Sequence, residues 1–473
     1  MRPANRKDAP GHPSTQVPRG DSFSMRRITI VGGGASGTLV AINLARLSTK
    51  QNPVQINLVE QHKYICRGVA YSSDKPFHLL NVPAGKIGAF PEAPDHFLHW
   101  LHSKGFTADE HSFVPRGLYG DYLRDLFEKE TTSALHGKIR VFSDTASDVL
   151  IEKNVSLSLH SGSSIESDYL VLAFGNFPPP HPSVPDQSFT ASPRYIRNIW
   201  QESSLCNIAP DDTVLILGTG LSMVDVVLSL KHSGHKGKII ATSTRALIPA
   251  EHALPGLCND FAGEVLSTSS IRQLLQIIRR EIKIAEASGV NWRAVIDYLR
   301  PYTQRIWQSL PEREKRRFAV HLSRWWNIAR HRMPPSAAKD IESLQQRGQF
   351  EIIAGRIREI TNENNRFTIR LHSNNASVNL KADVIINCIA SESRYRRIES
   401  KFLQNLFARG LVCEGPLGFG FDALPNGAIL DKNGLCGMKL FTLGTALKGV
   451  LWETTAIPEI RTQASELARL LLS

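Results

Sequence analysis

The chain has 473 residues and a formal net charge of +12, and 42% of its residues are hydrophobic and 8% aromatic. One compact core does not accommodate this length, so we expect two or three domains of a globular protein. No apolar run approaches the roughly 18–20 residues of a membrane-spanning helix, so no membrane association is expected.

The N-terminal segment and the cysteines indicate the cellular compartment of the protein. Residues 1–24 are polar, contain Pro and Gly, and lack an apolar core. They indicate a disordered tail, or an extension upstream of Met25, rather than a secretory signal. The six cysteines are scattered without a Cys-x-x-Cys pair, which favours a reducing, cytoplasmic compartment. This spacing also argues against a structural metal and against the paired-thiol mechanism of disulfide reductases.

The first nucleotide-binding motif lies in residues 26–37, where a strand-like run leads into glycines with G-x-G-x-x-G spacing and then into a helical sequence. The first glycine permits a tight turn, the second lets backbone approach a pyrophosphate, and the third lets helix and strand pack closely. The next strand ends in an acid that can accept hydrogen bonds from a ribose diol. A glycine-rich structural turn is the alternative. The residues expected at this site are Gly32, Gly34, Ala35, Ser36, Gly37 and Glu60.

Two further strand-like runs, VSLSLH and DYLVLAFGN, precede a proline-rich crossover. The second run ends at Gly175. A strand that runs into glycine and then into such a crossover is typical of the exit from a flavin domain, so we expect Gly175 at the edge of a flavin.

A second strand–glycine–helix pattern occurs in TVLILGTGLSMVDVVLSL, although Met223 stands at the third glycine position. It still offers a tight turn, a backbone approach and a helix N-terminus at Gly218, Gly220 and Ser222. The following strand ends in Arg245 where the first copy has an acid, and a cation there suits a 2′-phosphate. The pattern predicts a second nucleotide site that prefers NADP to NAD. An ordinary surface arginine is the alternative for Arg245.

The α/β alternation is interrupted at about residues 260–345, where apolar residues recur at helical spacing. This segment is expected to be a helical insertion with Trp307, Trp325 and Trp326 in its core, although RHRM could instead contact a substrate. Residues 261–340 contain 15 Lys and Arg against 7 Asp and Glu. Solvated helix faces are the ordinary explanation, while an acidic substrate or nucleic acid are the alternatives.

The C-terminal part returns to a strand and a long helix. The run ADVIINCIAS (382–391) suggests that the chain leaves the second domain and returns to the first. A later strand ends at Gly444, and Glu453 follows before the final helix. In two-domain flavoproteins such a strand and helix close the first domain, with the helix N-terminus towards the flavin ring. A strand and helix without a ligand role are the alternative.

Together these segments resemble the bacterial FAD/NAD(P)-binding flavoproteins with two dinucleotide-binding domains, which are related to class B flavin-dependent monooxygenases. The matching segments are VGGGASG, RGVAYSS, HLLNVPAGKIGAFPE, FVPRGLYGDYL, LAFGN, LGTGLSMVD, WRAVIDYLRP, RHRMPP and GVLWETTAIPEIRTQA. The resemblance implies non-covalent FAD on the first domain and a pyridine nucleotide on the second.

The resemblance also implies a fold and two further contacts. We expect an α/β fold of two nested Rossmann-like dinucleotide-binding domains, with a helical insertion in the second. Asn81 could hydrogen-bond the flavin, and Arg116 could contact a flavin phosphate or ribose, although a capped turn and a structural ion pair are the respective alternatives. The expected FAD-binding domain comprises 25–185 and 380–473, and the expected NAD(P)-binding domain comprises 186–379.

The expected activity is that of an FAD-dependent NAD(P)H oxidoreductase. We expect a single-component monooxygenase that hydroxylates a small molecule through a C4a-hydroperoxyflavin, with O2 as the oxidant and NADPH as the reductant. A flavin-linked dehydrogenase or reductase without oxygen insertion is the alternative, and a flavin-based redox sensor that binds nucleic acid is a third. No catalytic residue is predicted, because the cofactor carries the chemistry. The substrate and the oligomeric state are left open.

Overall fold

The structure is a computed structural model, and it confirms the α/β class predicted from the sequence. Two mainly parallel sheets form the centres of two Rossmann-like domains. The residues that the structure describes are 25–62, 64–201, 203–254, 256–373 and 376–473. The expected disordered tail, residues 1–24, lies outside the described residues.

The strands are, in chain order, β1 (Arg26–Val31), β2 (Val54–Glu60), β3 (Gly137–Ser143), β4 (Ala146–Ile151), β5 (Val155–Leu159), β6 (Ser164–Ser167), β7 (Tyr169–Leu172), β8 (Tyr195–Ile196), β9 (Val214–Leu217), β10 (Ile239–Ser243), β11 (Phe350–Ala354), β12 (Arg356–Glu363), β13 (Arg366–Ser373), β14 (Ala376–Ala382), β15 (Val384–Asn387), β16 (Ala428–Leu430) and β17 (Cys436–Thr442).

The α-helices are α1 (Ala35–Leu47), α2 (Gly68–Tyr71), α3 (His96–Ser103), α4 (Arg116–Ser133), α5 (Leu221–His232), α6 (Ala262–Ser267), α7 (Ile271–Ala287), α8 (Arg293–Tyr298), α9 (Thr303–Ser309), α10 (Glu312–His321), α11 (Ser323–Arg330), α12 (Pro335–Gln346), α13 (Lys401–Ala408), α14 (Lys448–Leu451) and α15 (Ile457–Leu472). Within the described residues, no helix combines the length and the apolar character that a membrane crossing requires.

The first domain is built on a six-stranded sheet with the order β16-β17-β7-β1-β2-β3. Neighbouring strands are parallel except for β16 and β17. Helices α1 and α15 pack against each other on one face, while α13 and the antiparallel sheet β4-β5-β6 cover the other. Because both faces are covered, the residues of the central strand β1 from Ile28 to Val31 are all buried.

The second domain is built on a five-stranded parallel sheet with the order β11-β10-β9-β15-β8. Helices α5 and α12 pack on one face, and the antiparallel sheet β12-β13-β14 covers the other. Strand β15 belongs to this sheet, so the second domain extends to Asn387. The boundary expected at residue 380 is therefore one strand too early. A short apolar run has the same composition in either parallel sheet, so composition does not assign it.

The helical insertion predicted from the sequence is formed by α6 to α11, between β10 and β11. Its core contains Trp307, which is 4% exposed, and Trp326 packs partly buried at the edge of that core. Trp325 is 48% exposed, so its expected place in the core is wrong. Successive residues of a helix point about 100° apart, and α11 therefore presents its two adjacent tryptophans in different directions.

The insertion also contacts the C-terminal part of the first domain. The indole Nε1 of Trp307 donates to the carbonyl oxygen of Gly449 at 2.8 Å. The guanidinium of Arg300 donates to both carboxylate oxygens of Glu459, at 2.8 and 3.1 Å. These contacts hold the insertion across the space between the two domains.

Candidate active site

The turn between β1 and α1 requires glycine at two positions for packing. Gly32 has φ +107°, and a Cβ there would collide with the carbonyl oxygen of Ala173, which directly follows the neighbouring strand β7. A Cβ at Gly37 would collide with the carbonyl oxygen of Gly32. Helix α1 then begins at Ala35 without a side-chain cap, which leaves the N–H groups of its first turn free for an anion.

The carboxylate of Glu60 is fixed at the end of β2, beside this turn. Its Oε2 accepts a hydrogen bond from the backbone N–H of Gly33 at 2.7 Å, and its Oε1 accepts one from the N–H of His62 at 2.9 Å. The side chain remains partly exposed. A carboxylate oxygen can accept more than one hydrogen bond, so Glu60 keeps acceptor capacity for a ligand hydroxyl.

A cavity of about 1040 Å³ starts at this turn and reaches the N-terminus of α15. We call it the first cavity. Its volume lies slightly above the roughly 300–1,000 Å³ range of ligand pockets, so it has room for an extended ligand. The residues expected from the sequence that line it are Gly32, Gly34, Ala35, Ser36, Glu60, Asn81, Arg116, Gly175 and Ser222.

The turn between β9 and α5 repeats this geometry in the second domain. Gly218 has φ +108°, and a Cβ there would collide with the carbonyl oxygen of Cys388. A Cβ at Gly220 would meet no atom within 4 Å among the described residues. The space beside Gly220 belongs to a cavity of about 1360 Å³, which we call the second cavity, and Gly218, Gly220 and Ser222 line it. Helix α5 begins here without a side-chain cap.

The two cavities meet. They share wall residues from four segments: the start of α5, the segment after β15, the insertion and the loop before α15. In that order, these residues are Leu221 and Ser222, then Cys388, Ile389 and Ala390, then His331, and finally Thr455. A ligand seated on one glycine turn therefore extends towards a ligand seated on the other.

A buried charged cluster lies beside this junction. The carboxylate of Glu453 is 7% exposed, and its Oε1 accepts a hydrogen bond from the Nε1 of Trp326 at 2.6 Å. His331 Nε2 lies 4.0 Å from the same oxygen, and Arg330 Nε lies 3.9 Å from Oε2. Removal from water lowers the pKa of His331, although Glu453 opposes the shift.

Lys448 and Trp452 complete the wall of the second cavity on the side of the first domain. Burial lowers the pKa of Lys448, and Glu453 opposes that shift. The ammonium lies 5.6 Å from the centre of the Trp452 ring, which packs at 4.8 Å on Trp307. Trp452 has φ +61°, a conformation that costs a bulky residue free energy and is common at functional sites.

One protein-family model matches the N-terminal part of the first domain. Residues 29–177 match the model of a protein family described as FAD-NAD(P)-binding. The uncharacterized protein YdhS of Escherichia coli is 25% identical over 227 residues, which are 44% of this chain and 39% of that protein. The aligned part thus spans well under two thirds of that relative.

Solved structures extend the likeness to almost the whole chain. An ornithine N-hydroxylase of Kutzneria sp. 744, in a complex named with reduced FAD, NADP+ and L-ornithine, has a TM-score of 0.64 at 12% identity, over 95% of this chain and 99% of that one. A bacillithiol disulfide reductase of Staphylococcus aureus has a TM-score of 0.55 at 12% identity, over 94% and 98%. The chain has the two-domain fold of these solved structures. The resemblance inferred from the sequence is thereby confirmed.

Some residues that the sequence predicted at the cofactor sites do not line the cavity expected for them. Gly37 and Gly444 line neither cavity. Gly444 has φ +70° and its N–H donates to Gln463 at 2.8 Å, while Thr445 beside it lines the first cavity. Glu453 lines the second cavity rather than the first. The C-terminal segment therefore reaches both cavities.

The positions of Arg245 and Arg116 also differ from the ligand contacts that the sequence suggested for them. Arg245 is exposed and lines neither cavity, whereas Ser243 and Thr244 before it line the second. Arg116 lines the first cavity, but its Nη2 donates to both carboxylate oxygens of Asp225 at 2.7 and 2.9 Å. This geometry favours the structural ion pair that the sequence left as the alternative.

Sequence reasoning missed several wall residues of the second cavity. Lys448 and Trp452 belong to this group, as do the residues from the insertion, of which Asn327 lies one helical turn before His331. The RHRM run gave a signal for His331, since the sequence allowed it a substrate contact. The strained backbone of Trp452 has no counterpart in the sequence pattern.

Proposed function

We propose that this chain is an FAD- and NADPH-dependent monooxygenase that hydroxylates a small molecule. The observation that carries the proposal is the junction of the two cavities, where residues such as Ser222, His331 and Thr455 belong to both walls. Hydride transfer needs donor and acceptor in contact, and two adjoining nucleotide sites provide it. The FAD-NAD(P)-binding family match and the ornithine N-hydroxylase fold support this assignment.

The first cavity fits FAD, because its glycine turn and its uncapped helix form an anion cradle. In this proposal Gly34, Ala35 and Ser36 hold the pyrophosphate, and Glu60 accepts hydrogen bonds from ribose hydroxyls. When bound, FAD supplies hydride acceptance and oxygen activation, and the protein supplies orientation and electrostatics.

The second cavity fits NADPH for the same reason. The open space at Gly220 and the N-terminus of α5 receive the pyrophosphate, with the Ser222 side chain in the first turn of that helix. The junction residues then direct the rest of the nucleotide towards the first cavity.

The substrate binds where the insertion covers the junction. His331 there is an imidazole whose pKa is lowered by burial, and in this proposal it takes up and returns a proton. Lys448 and Glu453 line the same cavity and offer one cation and one anion to the charged groups of a small polar substrate. The rings of Trp307 and Trp452 pack together at this wall and help to exclude water. We propose a small amine as the substrate class, by analogy with the ornithine N-hydroxylase.

Oxygen incorporation tests the proposal directly. Purified FAD-loaded protein is mixed with NADPH and 18O2 in the presence of ornithine, lysine or short diamines, and the products are analysed by mass spectrometry. A hydroxylated product that carries one 18O atom for each NADPH consumed supports the monooxygenase. NADPH oxidation with every amine, but without labelled product, contradicts the proposed substrate class.

A reductase without oxygen insertion is the second candidate, because a disulfide reductase shares the fold. One observation weighs against a thiol mechanism. Cys388 lines both cavities, but burial raises the pKa of its thiol and no disulfide partner lies beside it, since all six cysteines are free. Anaerobic NADPH oxidation by a disulfide or quinone, faster than the oxygen-dependent rate, would favour the reductase.

The remaining expectations about partners belong to this proposal. We propose a small-molecule substrate and O2 as partners, with no nucleic acid or membrane, and a cytoplasmic location in which the six cysteines stay reduced.

A further inference from the structure

One wall of the second cavity is unusually rich in arginine. It is formed by the antiparallel sheet β12-β13-β14, which contributes Arg356, Arg358, Arg370 and Ser377 to the cavity lining. All four residues are exposed to solvent along this wall. The wall therefore presents three guanidinium groups on one side of a space that also contains the second glycine turn.

The pairing of β12 with β13 is interrupted at Arg358. Ile357 lies opposite Leu371 and Glu359 lies opposite Arg370, so Arg358 is an extra residue without an opposite partner. This arrangement is a β-bulge, which redirects a side chain and often occurs beside functional sites. Arg356 and Arg358, two residues apart on this strand, both line the cavity.

The charges of this wall are not balanced within the described residues. Arg370 donates to the carboxylate of Glu359 at 2.9 Å. Arg356 and Arg358 make no ion pair and no side-chain hydrogen bond within the part of the chain that the structure describes. Two unpaired guanidinium groups beside each other repel, and an anion with two negative charges would bind both.

The arginine-rich wall also lies next to the second glycine turn, at the end of β10. The N–H of Gly355 donates to the carbonyl oxygen of Ser243 at 2.9 Å, so Arg356 begins next to the end of β10. Thr219 Oγ1, in the glycine turn, donates to Ser243 Oγ at 2.9 Å. In this fold the end of the second strand lies beside the adenosine ribose, whose 2′ position distinguishes NADP from NAD.

We propose that Arg356 and Arg358, supported by Arg370, form the subsite for the 2′-phosphate of NADPH. This inference rests on the proposed function, and it replaces the role that the sequence suggested for Arg245. Guanidinium groups bind phosphate through paired N–H donors. The 2′-phosphate supplies the two negative charges that the wall lacks.

Binding of adenosine fragments tests this subsite without any catalytic step. The full FAD-loaded chain is titrated by calorimetry with 2′,5′-ADP, which carries the 2′-phosphate, and with 5′-AMP, which lacks it. We expect the wild type to bind 2′,5′-ADP at least about tenfold more tightly. R356A and R358A should each weaken 2′,5′-ADP binding about tenfold or more and leave 5′-AMP binding within about twofold. R358K should recover part of the loss.

Two further variants make the test selective. K381A removes an exposed cation from the same sheet, away from the cavity wall, and should change neither affinity. R245A should also change neither. Loss of 2′,5′-ADP affinity in R245A but not in R356A and R358A overturns the proposal, and so does an equal loss for both ligands. A failed oxygenation assay with this binding pattern intact overturns the monooxygenase function alone.

Discussion

The buried ion pair between the domains gives a quantitative prediction for stability. The side chains of Arg116 and Asp225 are 15% and 11% exposed, and they meet at 2.7 and 2.9 Å. Burial raises the pKa of Asp225, although Arg116 opposes the shift. The attraction therefore does not fully offset the cost of taking the carboxylate out of water. Asp225→Ala leaves the Arg116 Nη2 with the carbonyl oxygen of Leu79 at 3.3 Å as its remaining acceptor among the described residues.

We expect Asp225→Ala to lower the free energy of unfolding by about 3–5 kcal/mol, because it leaves a buried charge without its partner. The double variant Arg116→Met/Asp225→Leu removes both charges, and we expect its stability within about 1 kcal/mol of wild type. Urea unfolding followed by circular dichroism, at one fixed FAD concentration, measures both. A loss below about 1 kcal/mol in Asp225→Ala, or equal losses in both variants, would refute the reasoning.

The same variants separate the two roles considered for Arg116. If it acts through Asp225, the double variant keeps its affinity for FAD, which fluorescence titration of the apoprotein measures. A loss of FAD affinity above about tenfold in the double variant, with unchanged stability, would instead assign Arg116 a direct flavin contact.

Three other predictions concern the turn, the domain interface and the charged cluster. Gly220→Ala should weaken NADPH binding with little change in melting temperature. Gly218→Ala should lower the melting temperature, because its methyl group would collide with neighbouring backbone. Equal melting temperatures for the two variants would contradict this reasoning. Burial, with Arg116 nearby, lowers the pKa of His78 from 6.5 to about 4. As the pH falls, the unfolded chain therefore binds this proton before the folded chain does. The free energy of unfolding should fall by about 1.4 kcal/mol per pH unit between pH 6.5 and pH 4. His78→Gln should reduce that slope in urea unfolding at several pH values, and an unchanged slope would show another group to be responsible. Trp326→Phe removes the hydrogen-bond donor to the buried carboxylate of Glu453. We expect it to lower the free energy of unfolding by about 1.5–3 kcal/mol and to shift the pH–rate profile. An unchanged profile would mean that this carboxylate does not affect turnover.

Local geometry made the two glycine turns predictable from the sequence. The positive φ of Gly32 and Gly218 and the tight packing of Gly37 follow from short-range sterics, which residue spacing records directly. Glu60 was predictable as well, because the end of a strand is a local feature. The ligand contacts of these residues stay predictions.

Long-range packing decided the features that the sequence did not reveal. Arg356 and Arg358 are unremarkable in a polar strand, and only the folding of β12-β13-β14 over the parallel sheet turns them into a cavity wall. Trp452 reaches the second cavity because the insertion packs on the C-terminal segment. The assignment of β15 to the second sheet is equally non-local, since strand neighbours are distant in sequence.

The interleaved order of the chain affects when the protein becomes able to hold a flavin. Strand β17 pairs with β7, and helix α15 packs on α1, so the first sheet needs the last segment to be synthesised. All strands of the second sheet precede that segment. At about 5–20 residues per second, the ribosome needs some tens of seconds to proceed from β7 to α15. The domain that begins first is therefore completed last, and flavin loading has to wait for release of the C-terminus.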